Sequence, residues 1–528
     1  MWWREAIVYQ IYVRSFQDTD GDGIGDLSGI ISRLDHLVHL GVDTVWLTPF
    51  YPSPMRDFGY DVLDHTGVHP LFGNLETFDR LIRVARSKGL RVLVDFVPNH
   101  TSDEHPWFAD SRSSRTSTKR NWYVWRDPKP DGSQPNNWLG AFGGRAWTLD
   151  EKTGQYYRHS FLSSMPDLEW RNPEVKAAML DVVRFWLDRG VSGIRIDAAQ
   201  YPMKDPEMRD NPPNTERVSM HRPLGEFDSQ LHVHDMGHPD IHDLYKELRA
   251  ELDGYGEPAR IAIGEIHVFD WPRWAAYYGG GADELHMVFN FGLLGVEWTA
   301  ESLVSLIKEI ETVLPEQGWA NWVLGNHDEP RIASKVGGLA RAAAMIQLTL
   351  RGTPTIYYGD ELGLPDASIG PDRIADPWGL QAPELSRDPA RSPMPWDASP
   401  TVGFCRPDST PWLPLVEGHQ RFAVETQHQD PSSFLSFTRR LIGFRQSSRA
   451  LTSGRYGRIA AVSGCLVFER VHEEERCLVA INLTTGDVDL EIGERGVVEV
   501  STRLDRRAEV AEDRLHLRAE EGCVLRLE

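Results

Sequence analysis

The chain repeats one local pattern eight times, and that count restricts its fold more than any other feature. Short β-branched or aromatic runs begin at Ile7, Thr44, Arg91, Gly193, Arg260, Leu285, Trp319 and Thr353, and each leads into a longer stretch. Three of those stretches, LSGIISRLDHLVHLG, LETFDRLIRVARSKG and PEVKAAMLDVVRFWLDRG, place apolar residues at helical spacing and end on a glycine suited to a C-cap. Eight strand-to-helix alternations fit a closed parallel (β/α)₈ barrel, an α/β fold. An open doubly wound sheet is the alternative, but no GxGxxG follows the first run.

Two segments leave the pattern. Residues 101–170 are rich in Trp, Ser, Asn, Gly and Pro, too long for a plain loop, and are expected to form an inserted subdomain. Short alternating runs such as CLVFERV, CLVAINL and GVVEVST predict a separate C-terminal β domain over 449–528. The barrel is then assigned 1–100 and 171–448.

A formal net charge of −22 repels polyanions, which argues against nucleic-acid partners and anionic membranes and is easier to reconcile with a small neutral substrate. The opening MWWREAIVYQIYVRSF lacks the marks of a signal peptide, and no apolar run is long enough to span a bilayer. Cys405, Cys465, Cys477 and Cys523 lack CxxC spacing and read as reduced thiols. The expectation is a cytoplasmic protein, monomer or homodimer, without an organic cofactor.

Residues 18–26 read DTDGDGIGD. Asp18, Asp20 and Asp22 alternate, Gly23 takes the sixth position, the Ile24 carbonyl the seventh and Asp26 the ninth, as in the first part of an EF-hand loop. Position twelve is Gly29 rather than glutamate, which excludes a regulatory EF-hand but leaves a structural Ca²⁺ site. An acidic, glycine-rich turn without an ion is the alternative. Crowded carboxylates would repel one another there without a cation.

Barrel enzymes assemble their sites from the ends of several strands. The third run ends in Asn99 and His100, the fourth carries Arg195 and Asp197, the fifth ends at Glu265, and the seventh ends in His327 and Asp328. Singly, each acid reads more simply as a helix cap or an ion-pair partner, and each histidine as a structural one. Together they suit a reaction through a positively charged, sugar-like transition state. Arg195 shares a strand face with Asp197 and is expected to keep it ionised, whereas desolvation on the apolar strand IAIGEI is expected to raise Glu265.

These residues lie in DFVPNH, GIRIDAA, IGEI and LGNHDEPR, which resemble the four main conserved regions of the α-amylase family, glycoside hydrolase family 13. GVDTVWLTP, MPDLEW and GTPTIYYGDE resemble further ones, and within the family the chain is most similar to the α-glucosidase and oligo-1,6-glucosidase branch. The resemblance implies Asp197 as nucleophile, Glu265 as acid/base and Asp328 as transition-state stabiliser. Tyr60, His100, Arg195 and His327 would line the glucose pocket. Asp57, with Arg391 of ARSPMPW, would grip the non-reducing end, and Phe142 and Phe161 would form the walls.

The same resemblance makes DTDGDGIGD the branch's calcium loop, the insert domain B and the tail domain C. It implies an exo-acting, retaining α-glucosidase releasing glucose from short α-glucosides such as maltose, with transglucosylation as a side outcome. Its two reacting carboxyls would stand about 5 to 5.5 Å apart. Ala198 follows the nucleophile where relatives with α-1,6 preference carry valine, which points to α-1,4 bonds. The Glu169 of MPDLEW departs from the oligo-1,6 pattern, and MKDPEMRDNPPNTER resembles a long loop over the acceptor side. Trehalose synthase, a sucrose-acting enzyme and a non-catalytic binding subunit are the alternatives on this fold.

Overall fold

The computed structural model describes residues 1–216 and 223–528. Arg217, the last residue of the acceptor-side segment named above, lies outside them. The eight runs become eight parallel strands: β1 (Val8–Ile11), β2 (Thr44–Leu47), β3 (Arg91–Phe96), β4 (Gly193–Ile196), β5 (Ile261–Gly264), β6 (Met287–Asn290), β7 (Asn321–Val323) and β8 (Thr353–Tyr357). They close in chain order, with β8 pairing back onto β1 through Val8 and Thr355.

Helices follow the strands in turn: α1 (Leu27–Leu40), α2 (Leu75–Ser87), α3 (Pro173–Asp188), α4 (Ile241–Asp253), α5 (Trp271–Ala276), α6 (Ala300–Val313), α7 (Ala340–Thr349) and α8 (Phe434–Ser447). The first three starts are capped by side chains: Asp26 accepts from Gly29 N at α1, Asn74 from Thr77 N at α2 and Asn172 from Glu174 N at α3. Gly41, Gly89 and Gly190, just past the three helices read from sequence, adopt φ of +96°, +79° and +95°. That left-handed turn suits glycine and closes the helix C-terminus.

Strand alternation divides the barrel chemically. Val45, Leu47, Val92, Val94, Ile194, Ile196 and Val288 face outward and join the core beneath the helices. Val8, Trp46, Leu93, Ile261, Ile263, Met287, Phe289 and Val323 face inward and fill the barrel. Continuing that inward parity toward the strand ends brings up Asp95 from β3, Arg195 and Asp197 from β4, and Glu265 after β5. Apolar layers therefore support a polar one.

Between β3 and α3, a three-stranded sheet is built from Trp125–Arg126, Trp147–Asp150 and Gln155–Arg158. Arg158 and Asp167 there are fully buried, and Lys204 after β4 reaches Asp167 at 2.9 Å and Asn99 at 2.8 Å, tying the insert to the barrel rim. After α8 the chain forms a six-stranded and a two-stranded antiparallel sheet with a small core between them. Arg470 joins this tail to the barrel by donating to Thr349 O, beside Arg445 of α8, which donates to Gly352 O. The four cysteines are buried and unbridged. Among the described residues no helix is long and apolar enough to cross a membrane.

Phe289 is 1% exposed at the centre of the barrel interior and packs on Trp46 at 5.4 Å. Phe289→Ala is expected to cost about 3–5 kcal/mol in chemical denaturation, whereas Leu149→Ala on the surface should change stability by less than about 0.5 kcal/mol.

Candidate active site

Arg195 organises the floor of the site. It is fully buried, and its Nη1 lies 2.5 Å from Asp95 Oδ1 and 2.8 Å from Asp197 Oδ1. Nη2 stands 2.8 Å from Glu265 Oε2, as an ion pair too bent for a hydrogen bond. One guanidinium thus gathers carboxylates from β3, β4 and the end of β5. Ala198 adds a second link by donating its N–H to Glu265 Oε2 at 2.9 Å. To do so it adopts φ +44°, a left-handed conformation rare outside glycine that is stored where it is used.

Burial and Arg195 act in opposite senses on the Asp197 and Glu265 carboxyls. Burial pushes the Asp197 carboxyl well up, with Glu265 and Asp95 adding to the rise, so that Arg195 is outweighed. Burial also acts to raise Glu265, but Arg195 and the hydrogen bond from His267 overcome it and hold the carboxyl at about 2. Sequence identified the cation but not His267, whose Nε2 lies 3.1 Å from Glu265 Oε1.

His327 stands between two rings, 5.4 Å from Tyr60 and 5.6 Å from Tyr12, and its Nε2 reaches the Tyr60 hydroxyl at 2.7 Å and Asp328 at 3.3 Å. Burial lowers its pKa to about 3, and that of His100 to about 4, so both are neutral rings. Phe161 packs between His100 at 5.4 Å and Tyr201 at 5.1 Å, and Phe142 stacks on Trp378 at 5.0 Å. Asp57, Tyr60, His100, Phe142, Phe161, Asp197, Glu265 and Asp328 all line one cavity. Arg195 and His327 lie behind its wall.

The blind end requires a correction. Asp57 hydrogen-bonds Arg387, at 2.5 Å, not the expected Arg391. Arg391 uses Nε on the His327 carbonyl at 2.6 Å and Nη2 on Asp328 at 3.0 Å, which turns it away. Arg387 also contacts Asp376 at 2.6 Å and Asp328 at 3.2 Å, and it lies over the Phe142 ring. RDPAR holds two arginines four residues apart, and the sequence offered no way to choose between them. The loop around Asp57 is strained, with Met55 and Phe58 at φ of +62° and +51°. Asp61 secures it by accepting from Arg56 N, Asp57 N and Ser53 Oγ.

In the acidic loop, one oxygen from each of Asp18, Asp20 and Asp22 lies within 4.8 Å of the others. Asp26, expected as a further ligand, stands outside this group: its Oδ1 caps α1 and its Oδ2 accepts from Thr19 N at 2.7 Å.

This geometry fits the family whose model matches the chain. The alpha-amylase catalytic domain model covers residues 10–454, and the protein belongs to that family. A protein of Rhizobium meliloti named "Probable alpha-glucosidase" is 43% identical over 499 residues, covering 92% of this chain and 89% of its own. An oligo-1,6-glucosidase of Heyndrickxia coagulans is 35% identical, with 93% of each chain covered. Among solved structures, the alpha-glucosyl transfer enzyme XgtA superposes with a TM-score of 0.94 at 38% identity, over 100% of this chain and 99% of its own. The trehalulose synthase MutB of Pseudomonas mesoacidophila gives 0.90 at 32% identity, with 100% of each chain covered.

Burial holds Asp57 at about 6 even though Arg387 opposes the rise. Asp57 therefore gains its proton, and loses acceptor strength, as pH falls through that region. Arg387→Ala is expected to cost about 2–5 kcal/mol in kcat/KM on short α-glucosides. It should also move the Asp57-dependent acid limb to higher pH. An unmoved limb with near-normal kcat/KM would remove Arg387 from the site.

Proposed function

We propose that the protein is an exo-acting, retaining α-glucosidase that prefers α-1,4 bonds in short α-glucosides such as maltose. The observation that carries this reading is one buried guanidinium holding both reacting carboxylates at the floor of a cavity whose far end is shut by Asp57 and Arg387. Such a pocket takes the end of a chain rather than its middle.

Asp197 attacks the anomeric carbon while Glu265 protonates the departing oxygen, and water later reverses the exchange. Both steps place positive charge on the sugar ring. Asp95, Asp197 and Glu265 together bring more negative charge to that position than Arg195 cancels. The surplus stabilises the transition state more than the neutral ground state.

Transfer to a sugar is the second outcome of the same intermediate. It is favoured by the likeness to an alpha-glucosyl transfer enzyme and to a trehalulose synthase.

Asp197→Asn is expected to abolish at least about 10³-fold of turnover on maltose and p-nitrophenyl α-glucoside while preserving the fold. Glu265→Gln should lose more on maltose than on the aryl glucoside, whose leaving group needs less protonation. Anomer-resolved product analysis should show α-glucose first. β-Glucose, or persistence of activity in Asp197→Asn, contradicts the reading. Ala198→Val should shift preference from maltose toward isomaltose by about 1–3 kcal/mol, because a β-branched residue crowds the pocket and strains the positive φ.

The acidic loop is proposed to hold a structural Ca²⁺ through Asp18, Asp20, Asp22 and the Ile24 carbonyl. Support comes from the converging hard oxygens and from Gly23, at φ +87°, where a Cβ would sit 2.1 Å from Thr410 O. Burial raises Asp18, and although the Gly21 and Gly23 amides oppose it, Asp20 and Asp26 raise it further, a strain that a cation relieves. Chelation is expected to lower Tm and added Ca²⁺ to restore it, by about 2.7 kcal/mol at a hundredfold excess over Kd. A Tm indifferent to both treatments contradicts this.

A further inference from the structure

Glu265 presents two unlike oxygens. Oε2 faces Ala198 N at 2.9 Å and Arg195 Nη2 at 2.8 Å, donors that cannot accept a proton in return. A proton on Oε2 would be pressed against both, so the mobile proton of the acid/base belongs on Oε1. That oxygen meets His267 Nε2 at 3.1 Å. His267 lines the cavity, and its ring stacks on Phe291 at 4.3 Å with 16° between the planes, which fixes the direction of Nε2. Phe291 is itself buried at the inner end of β6.

We propose that His267 is a positioning residue for Glu265, donating from Nε2 to Oε1 and so holding the carboxylate aimed at the incoming water in the second half of the reaction. The inference rests on the glucosidase reading above and names a residue which that reading does not require. In the first half the Oε1 proton passes to the departing oxygen as the C1–O bond breaks and the bond from Asp197 to C1 forms. Glu265 is left as a carboxylate, the state that a donor at Oε1 stabilises. In the second half Oε1 takes a proton from water, the water oxygen bonds to C1, and the bond to Asp197 breaks. The histidine thus favours the base over the acid and acts chiefly on release of glucose from Asp197.

The other charged or titratable groups facing Glu265 are Arg195 and Asp197 from β4, Asp95 from β3, His327 and Asp328 after β7, and Tyr201. Among the groups that hold the Glu265 carboxyl down, Arg195 acts first and the His267 hydrogen bond follows. Removing the ring should therefore let Glu265 keep its proton to higher pH.

His267→Phe and His267→Gln separate the hydrogen bond from simple packing. With p-nitrophenyl α-glucoside, His267→Phe is expected to lower kcat about tenfold or more, leave kcat/KM within about threefold, and show a burst of nitrophenol as the glucosyl-enzyme accumulates. The alkaline limb of kcat/KM on maltose should move upward. His267→Gln keeps a donor and should recover most of kcat and return the limb. The inference is overturned if kcat and the limb are unchanged in His267→Phe, or if both variants fall equally with no burst. A wild-type enzyme that cleaves neither substrate would sink the glucosidase reading itself, and this inference with it.

Discussion

A single buried cation, Arg195, sets the terms for the site. Taking charges out of water is tolerable only when they are paired, and Arg195 pairs with Asp95, Asp197 and Glu265 from three neighbouring strands. One positive charge cannot neutralise three negative ones, and burial together with this excess of acids pushes Asp95 and Asp197 up. On the proposed mechanism that deficit is useful, because a sugar that becomes positive as its bond breaks would supply the missing charge. The barrel makes the arrangement cheap to hold in place, because the aromatic Trp46 lies beneath the guanidinium, 4.9 Å away, and donates its Nε1–H to Asp95.

A second charge network, with a smaller excess of acids, stands beside Asp57. Arg387 and Arg391 share Asp57, Asp328 and Asp376, so cations and acids are nearly matched there. On the proposed function their work would be to shape the pocket and to bind hydroxyl groups, not to answer a developing charge. Asp328 belongs to both networks, held by the arginines on one oxygen and by His327 on the other. On the proposed function it would couple the grip on the sugar to the position of the reacting bond.

The barrel was legible in the sequence because alternation is a local property: the strand that carries Arg195 also carries Asp197 with the same parity. The acids at strand ends were legible for the same reason. Asp95 could have been found, as the one charge inside the otherwise apolar VLVDFV after Arg91, with inward parity. Arg387 and Trp378 could not, because they come from the long connection after β8, whose course depends on tertiary packing. His267 was hidden too, because its reach back to Glu265 is a matter of side-chain direction that residue spacing does not encode.

The acidic loop connects the barrel's seam to its pocket. It follows β1, and it binds the connection after β8 through Asp18 N to Phe404 O and Trp412 N to Gly23 O. β1 and β8 are where the barrel closes, so this loop fastens the two ends of the cylinder. Trp412 then packs on Phe58, beside Asp57, at 5.3 Å, and on Tyr12, which stacks against His327. Arg14 lies over both Phe58 and Trp412. A loosened loop would therefore be felt first at the closed end of the pocket, where a strained turn carries Asp57, and only later at the apolar layers below. The grip on the terminal sugar draws its rigidity from the contact that also closes the fold.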